Sequence, residues 1–173
     1  MMNTPIKTFF YEYEGACMYA QVFERNRDMG SEVYPLDDVE GQYKIQLVVD
    51  DETRKQMIKD GIPESSMGHD MFKPVEGEDG RFGYTFKRTH LHKLFKDDNG
   101  KPQVQGPPNV VDWNATMQHQ QAVPRDVEQN IWNGSKVRVK CSIYKGRANI
   151  VTLESVGVID LAEEPQKDEV IRW

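Results

Sequence analysis

Residues 136–144, in which Lys136, Arg138, Lys140 and Tyr144 alternate with Val137, Val139, Cys141 and Ile143, constrain the fold more than any other stretch of the chain. Successive side chains of a strand point to opposite faces. This period of two therefore puts the apolar set on a core and the three cations, with one aromatic ring, on the other face. Like charges lined up on one strand face repel one another. In a chain whose formal net charge is −6, the simplest relief is an anionic partner, and a nucleic-acid backbone is the leading candidate.

The acidity is unevenly spread. Residues 81–147 hold 12 Lys and Arg against 5 Asp and Glu, so a basic middle is flanked by acidic ends. Tyr84, Phe86, Phe95, Trp113, Trp132 and Tyr144 all fall within that middle. Bases without a complementary strand stack on aromatic rings, at roughly 1–3 kcal/mol each, while Lys and Arg neutralise phosphates. Cations interleaved with rings are the pairing that a single strand requires.

A length of 173 residues fits one domain. Strands are expected at 16–23, 42–49, 81–95, 109–113, 136–144 and 149–161. Tyr43, Ile45, Leu47 and Val49 point inward in the second, and Ile150, Val151, Leu153, Val156, Val158 and Ile159 supply core from the last. Asp50 or Asp51 caps a helix that runs to about Asp60 and is ended by Gly61 and Pro63. The run Phe9-Phe10-Tyr11 is a further strand candidate, while residues 64–80 and 114–130 read as loops, the second with a helical turn. This order predicts an all-β fold with one or two short helices, a five-stranded Greek-key barrel of the oligonucleotide-binding (OB) class with long loops, or else a β-sandwich. The domain spans residues 1–161. Residues 162–173 are expected to be a disordered acidic tail that ends in an aromatic.

Other functional classes find little support. Cys17 and Cys141 each sit in an apolar alternating run and read as buried free thiols. No apolar run approaches the ~18 residues of a membrane span, and residues 1–7 lack a signal-peptide layout. There is no Walker-type phosphate loop, no Gly-x-Ser-x-Gly elbow and no cysteine cluster. His90 and His92, with His69, Asp70 or His119, are the nearest approach to a metal-ligand set, and on a basic strand they read as part of a polar face. No enzymatic activity, cofactor or metal is expected.

Residues 19–30 (Tyr-Ala-Gln-Val-Phe-Glu-Arg-Asn-Arg-Asp-Met-Gly), 106–112 (Gly-Pro-Pro-Asn-Val-Val-Asp) and 133–139 (Asn-Gly-Ser-Lys-Val-Arg-Val), followed by the acidic tail, form an ordered set. Together they resemble the single-stranded DNA-binding proteins of podoviruses, especially those infecting marine cyanobacteria. The resemblance implies an OB-fold protein that coats single-stranded DNA during phage replication, recombination and repair in the cytoplasm of the infected host cell, frequently as a homodimer. It also implies contacts with the phage DNA polymerase and helicase-primase through the C-terminal tail. Lys167 and Arg172 interrupt that tail, so it is less acidic than the family pattern.

On these grounds Lys136, Arg138, Lys140, Lys145 and Arg147 are the phosphate-contact candidates along one hairpin, helped by Arg88, Lys93, Arg25 and Arg27. Tyr144, Tyr84, Phe86 and Trp132 are the base-stacking candidates. Glu163, Glu164, Asp168, Glu169 and Trp173 are the partner-binding candidates of the tail. The alternative is a non-enzymatic interaction module whose basic face binds an acidic protein partner.

Overall fold

The computed structural model describes residues 7–31 and 40–165. Its elements in chain order are β1 (Thr8–Gln21), β2 (Gln42–Asp50), α1 (Asp51–Asp60), β3 (Ser65–Ser66), β4 (His69–Asp70), β5 (Phe72–Pro74), β6 (Arg81–Thr89), β7 (Leu91–Lys96), β8 (Pro102–Val104), β9 (Asn109–Asp112), α2 (Trp113–His119), β10 (Lys136–Lys145) and β11 (Asn149–Asp160). Seven strands form one sheet in the order β5-β6-β2-β1-β10-β11-β9, while β3–β4 and β7–β8 are separate two-stranded hairpins.

The architecture is mostly β with two short helices, as the alternation predicts, and OB-like. It departs from the expected five-stranded barrel in two respects: the sheet has seven strands, and among the described residues no ladder closes it. The short strand β5 pairs with the first half of β6, and β9 runs parallel to β11 from Ser155 to Val158. Both edges that would meet are thereby occupied. What joins them beyond those strands is a side chain: Arg88, on β6, donates from Nη1 to the Leu153 carbonyl of β11 at 3.3 Å.

The long strand β1 runs antiparallel to both β2 and β10. It begins at Thr8, so the Phe9-Phe10-Tyr11 run and the strand expected at 16–23 are one element. Near its end the β1–β2 register shifts between Met18 and Gln21. There Tyr19 adopts a positive φ of 54°, and its N–H donates to Asn133 Oδ1 at 2.7 Å. The bend explains why both faces of that stretch carry apolar groups.

Helix α1 starts as expected. Asp50 is the N-cap and accepts from the Thr53 N–H at 2.8 Å. Gly61 ends the helix at φ 119°, a conformation that glycine takes without the penalty a side chain incurs. Tyr13 donates to Asp60 Oδ2 at 2.6 Å and so ties β1 to the end of α1. Burial and that bond hold the Tyr13 hydroxyl well above its ordinary pKa.

The core contains the inward residues of β2 and β10, with Tyr84, Phe86, Leu153, Val156 and Val158. Cys17 and Cys141 are buried free thiols in it, and burial pushes them up, to about 11 and about 12. Ile150 and Ile159 depart from expectation: Ile150 pairs with Tyr144 on the outer side of the sheet and is exposed, and Ile159 is half-buried outside the core cluster. No helix among the described residues is long and apolar enough to cross a membrane.

Candidate nucleic-acid interface

Strand β10 is amphipathic in the predicted sense: Val137, Val139, Cys141 and Ile143 are buried, while Lys136, Lys140 and Tyr144 are exposed and Arg138 is half-buried. The outward cations nevertheless have protein counter-charges. The register places Glu14 opposite Arg138 and Glu12 opposite Lys140. Lys136 Nζ lies 3.9 Å from Glu14, and Arg138 Nη2 lies 3.5 Å from Glu12. The expectation that the simplest relief for this strand is an outside anion is therefore corrected, since β1 supplies two carboxylates. These pairs are solvent-exposed, which limits each to roughly 0–1 kcal/mol, so they compete with a bound anion without barring it.

The outer face of β1, β10 and β11 forms the floor of a groove of about 980 Å³. Its walls come from the 3-10 turn Glu24–Asn26, from Pro107 and Pro108, from α2, and from residues 122–128. Arg25, Arg27, Arg125, Arg138 and Lys140 line it against Glu12, Glu24 and Glu128. Trp113 lies against Gly157, where an added Cβ would come within 2.8 Å of the indole. The Arg138 guanidinium sits over that indole, 5.3 Å from the ring centroid, and is thereby oriented. Two guanidinium N–H groups on this groove, Arg125 Nε and Arg138 Nε, are buried with no acceptor among the described residues. Each such buried donor costs about 1–3 kcal/mol while it lacks an acceptor.

Beyond Lys140, which lines the groove, aromatic rings lie on the same sheet face. Phe10, opposite Ser142, is exposed beneath Lys140, whose ammonium lies 5.3 Å from the ring centroid. Tyr144 and Ile150 continue the face on β10 and β11. Trp113, one of the aromatics of the basic middle, and Phe10, part of a strand candidate, are not among the base-stacking candidates that the sequence offers. The signal for Phe10 was present, because Phe10, Glu12 and Glu14 alternate against Tyr11 and Tyr13 just as β10 alternates.

Several predicted contacts lie elsewhere. Tyr84 and Phe86 are buried and packed edge to face at 4.8 Å, so neither offers a ring to a base; β6 keeps its apolar alternation facing the core up to Phe86. Arg88 is consumed as a clamp: Nε donates to the Gly106 carbonyl, Nη2 to that of Gln105, and Nη1 meets Leu153 O and Glu154. Lys145 falls on the core-side parity of β10. It sits over Phe9 at 4.7 Å and donates to the Tyr11 hydroxyl, away from the cation row. Arg147 is exposed in the β10–β11 turn.

Arg25 and Arg27 line the groove but also brace it. Arg25 donates to the Val127 carbonyl and to Asn130 Oδ1, and Arg27 to the Glu40 and Glu24 carbonyls. Trp132 is half-buried beside a second cleft, which it shares with Leu161, Ala162, Glu163 and Glu164. Asp168, Glu169 and Trp173 lie outside the described residues. Lys93 is exposed on the β7–β8 hairpin. His90 is buried with its Nδ1 2.6 Å from the Tyr43 hydroxyl. Among the described residues no group of three or more His, Cys, Asp and Glu is placed to hold a metal ion.

Set against solved structures, this architecture has counterparts. It superimposes on gp2.5, a single-stranded DNA-binding protein encoded by bacteriophage T7, with a TM-score of 0.60 at 19% identity, over 94% of this chain and 92% of that one. The chain has the fold of phage single-stranded DNA-binding proteins. A second such protein, from bacteriophage Enc34, matches with a TM-score of 0.52 at 12% identity, covering 95% of this chain and 87% of that one. No protein-family model matches the chain, and no curated protein matches its sequence.

Proposed function

We propose that this chain binds single-stranded DNA with little sequence preference and without catalysis, laying the strand along the groove between the outer sheet face and residues 107–128. The observation that carries this reading is the cationic lining of the groove, Arg25, Arg27, Arg125, Arg138 and Lys140, with Lys136 exposed two residues from Arg138 on the same strand face. Phosphodiester oxygens are acceptors of the matching charge, and they recur along a strand. Phe10 and Tyr144, on the same sheet face beyond Lys140, offer sequence-tolerant stacking surfaces. The fold shared with two phage single-stranded DNA-binding proteins supports the same reading.

In this reading the protein coats single strands in the cytoplasm of an infected host cell during phage replication, recombination and repair, and pairs as a homodimer. Its acidic C-terminal segment, from Glu163 and Glu164 through Asp168, Glu169 and Trp173, engages the phage DNA polymerase and helicase-primase. The test is titration with oligo(dT) at several salt concentrations, followed by tryptophan fluorescence, with duplex DNA as control. Salt-sensitive quenching by single strands alone is the expected result. The combined change of Lys136, Arg138 and Lys140 to Ala lowers the steepness of the salt dependence by about 0.7 per lost phosphate contact. An unchanged slope would remove this face from the site, and binding to neither DNA would favour the protein-interaction module.

A further inference from the structure

The hairpin β7–β8 stands apart from the seven-stranded sheet and carries an exposure that a two-stranded ribbon does not need. Leu94 is 77% exposed, Phe95 62% and Val104 69%. A lone hairpin has no core of its own to hide such groups, and three large apolar side chains left exposed on one short ribbon point to a contact. Lys93 and Lys96 stand beside them on β7, also exposed, while the hairpin's carboxylates, Asp97 and Asp98, are confined to its turn. Asp97 is used internally, its Oδ1 accepting the N–H groups of Asn99 and Lys101.

Phe95 is held rather than loose. His92 Nδ1 accepts the N–H groups of both Leu94 and Phe95 at 3.1 Å. The β7–β8 register shifts between Leu91 and Lys96, and the His92 ring lies 4.3 Å from that of Phe95. The local irregularity thus backs the aromatic ring with an imidazole and aims it outward.

The base of the hairpin is fixed to the groove. His90 O accepts from the N–H groups of Gln105 and Gly106, and Arg88 holds both of their carbonyls. Pro107, three residues past Val104, already lines the groove. At about 3.3–3.6 Å per residue, the hairpin therefore starts within roughly 11 Å of the groove wall.

We infer that the β7–β8 hairpin is a second contact surface for the same DNA strand, with Phe95 stacking a base and Lys93 and Lys96 meeting phosphates beyond the end of the groove. This inference rests on the single-stranded DNA reading of the groove. A phosphodiester chain fits better than a second copy of this protein, because lysines along a two-stranded ribbon oppose edge-to-edge strand pairing, and ring plus cation is the combination a single strand uses.

The experiment compares the wild-type chain with a variant carrying Lys93→Ala, Phe95→Ala and Lys96→Ala. Each is titrated with a short oligo(dT) of about six nucleotides and with one of about twenty, against site sizes of ~4–16 nucleotides for a single OB fold. The expected result is unchanged affinity for the short strand, about tenfold weaker binding of the long one, and a salt slope for the long strand shallower by about 1.4, from two lost phosphate contacts. Unchanged binding of both lengths, or an equal loss on both, would overturn the inference while leaving the groove reading intact. Loss of self-association in sedimentation with full DNA affinity would assign the hairpin to a second copy instead. Failure of the wild-type chain to bind either length would reject the groove reading, and the hairpin's role with it.

Discussion

The Glu12 carboxylate lies 3.5 Å from the Arg138 guanidinium across the β1–β10 ladder, so the most central cation of the groove already holds an anion of the protein's own. A phosphate that reaches Arg138 displaces or shares that contact. Glu12→Gln, and Glu14→Gln beside Lys136, should therefore tighten oligo(dT) binding at low salt. An exposed pair contributes about 0–1 kcal/mol, so each change should gain at most about fivefold. Titration of both variants checks this, and weaker binding would show that the carboxylates orient the cations instead of opposing the ligand.

Gly157 is the position from which Trp113, and through it Arg138, is set. A Cβ there would lie 2.8 Å from the indole Cε3, and a ring held between a strand and a guanidinium has little room to retreat. Gly157→Ala should cost about 1–3 kcal/mol of stability, as overpacking does. It should also weaken DNA binding by shifting the Arg138 guanidinium that lies over the ring. Urea unfolding together with oligo(dT) titration separates the two effects. Full affinity in the folded variant would mean that Trp113 does not position Arg138.

The parts of this structure that were legible in the sequence are those fixed by neighbours in the chain. The period of two in β10, the inward set Tyr43, Ile45, Leu47 and Val49 of β2, the Asp50 cap and the Gly61 stop all depend on residues a few positions apart, and all stand in the structure. What was hidden depends on register between distant segments. Nothing near Lys140 announces that Glu12 faces it, and nothing near Arg88 shows that three carbonyls from two other segments converge on its guanidinium. Tyr84 and Arg88 share a strand whose alternation is plain. What takes up the guanidinium at the end of that strand includes the Leu153 carbonyl, 65 positions beyond Arg88.

Asp50 and Asp28, with the exposed Asp51 that Arg54 and Lys55 also hold below the usual carboxylate range, link folding to acid. The Thr53 N–H holds the Asp50 carboxyl below the usual carboxylate range. The Gly30 N–H does the same for Asp28, against a smaller opposing effect of burial and with help from Lys44 at 3.0 Å. A folded-state pKa below the unfolded value near 3.9 means that the stabilisation is fully present above that value. It is lost as pH falls through the depressed folded value. Stability should be level from neutral pH to about 5 and decline below about 4. Asp28→Asn should lower stability at pH 7 and flatten that decline. Asp50→Ala should do likewise, losing about 1 kcal/mol of capping. Urea midpoints at pH 7 and 3.5 test both, and an undiminished acid slope in the double variant would place the acid sensitivity elsewhere.

Arg88 separates a structural cation from a ligand-binding one. Its side chain is 15% exposed, and its donors are spent on Gly106, Gln105 and Leu153 carbonyls and on Glu154, which also accepts from Ser142 at 2.7 Å. No ladder joins β6 to β11, so this guanidinium is the hydrogen-bonded link across the seam where a barrel would close. Arg88→Ala strands three acceptors and a partly buried carboxylate. Because bonds to charged groups are worth about 1.5–3 kcal/mol each and are only partly replaced by water, the loss should exceed 2 kcal/mol. Arg88→Lys keeps the charge but cannot span the fork of carbonyls, so it should recover little of that stability. In the variant that remains folded, the salt slope of oligo(dT) binding should match that of the wild-type chain, because no phosphate contact has been removed. A shallower slope with intact stability would instead place Arg88 on the DNA.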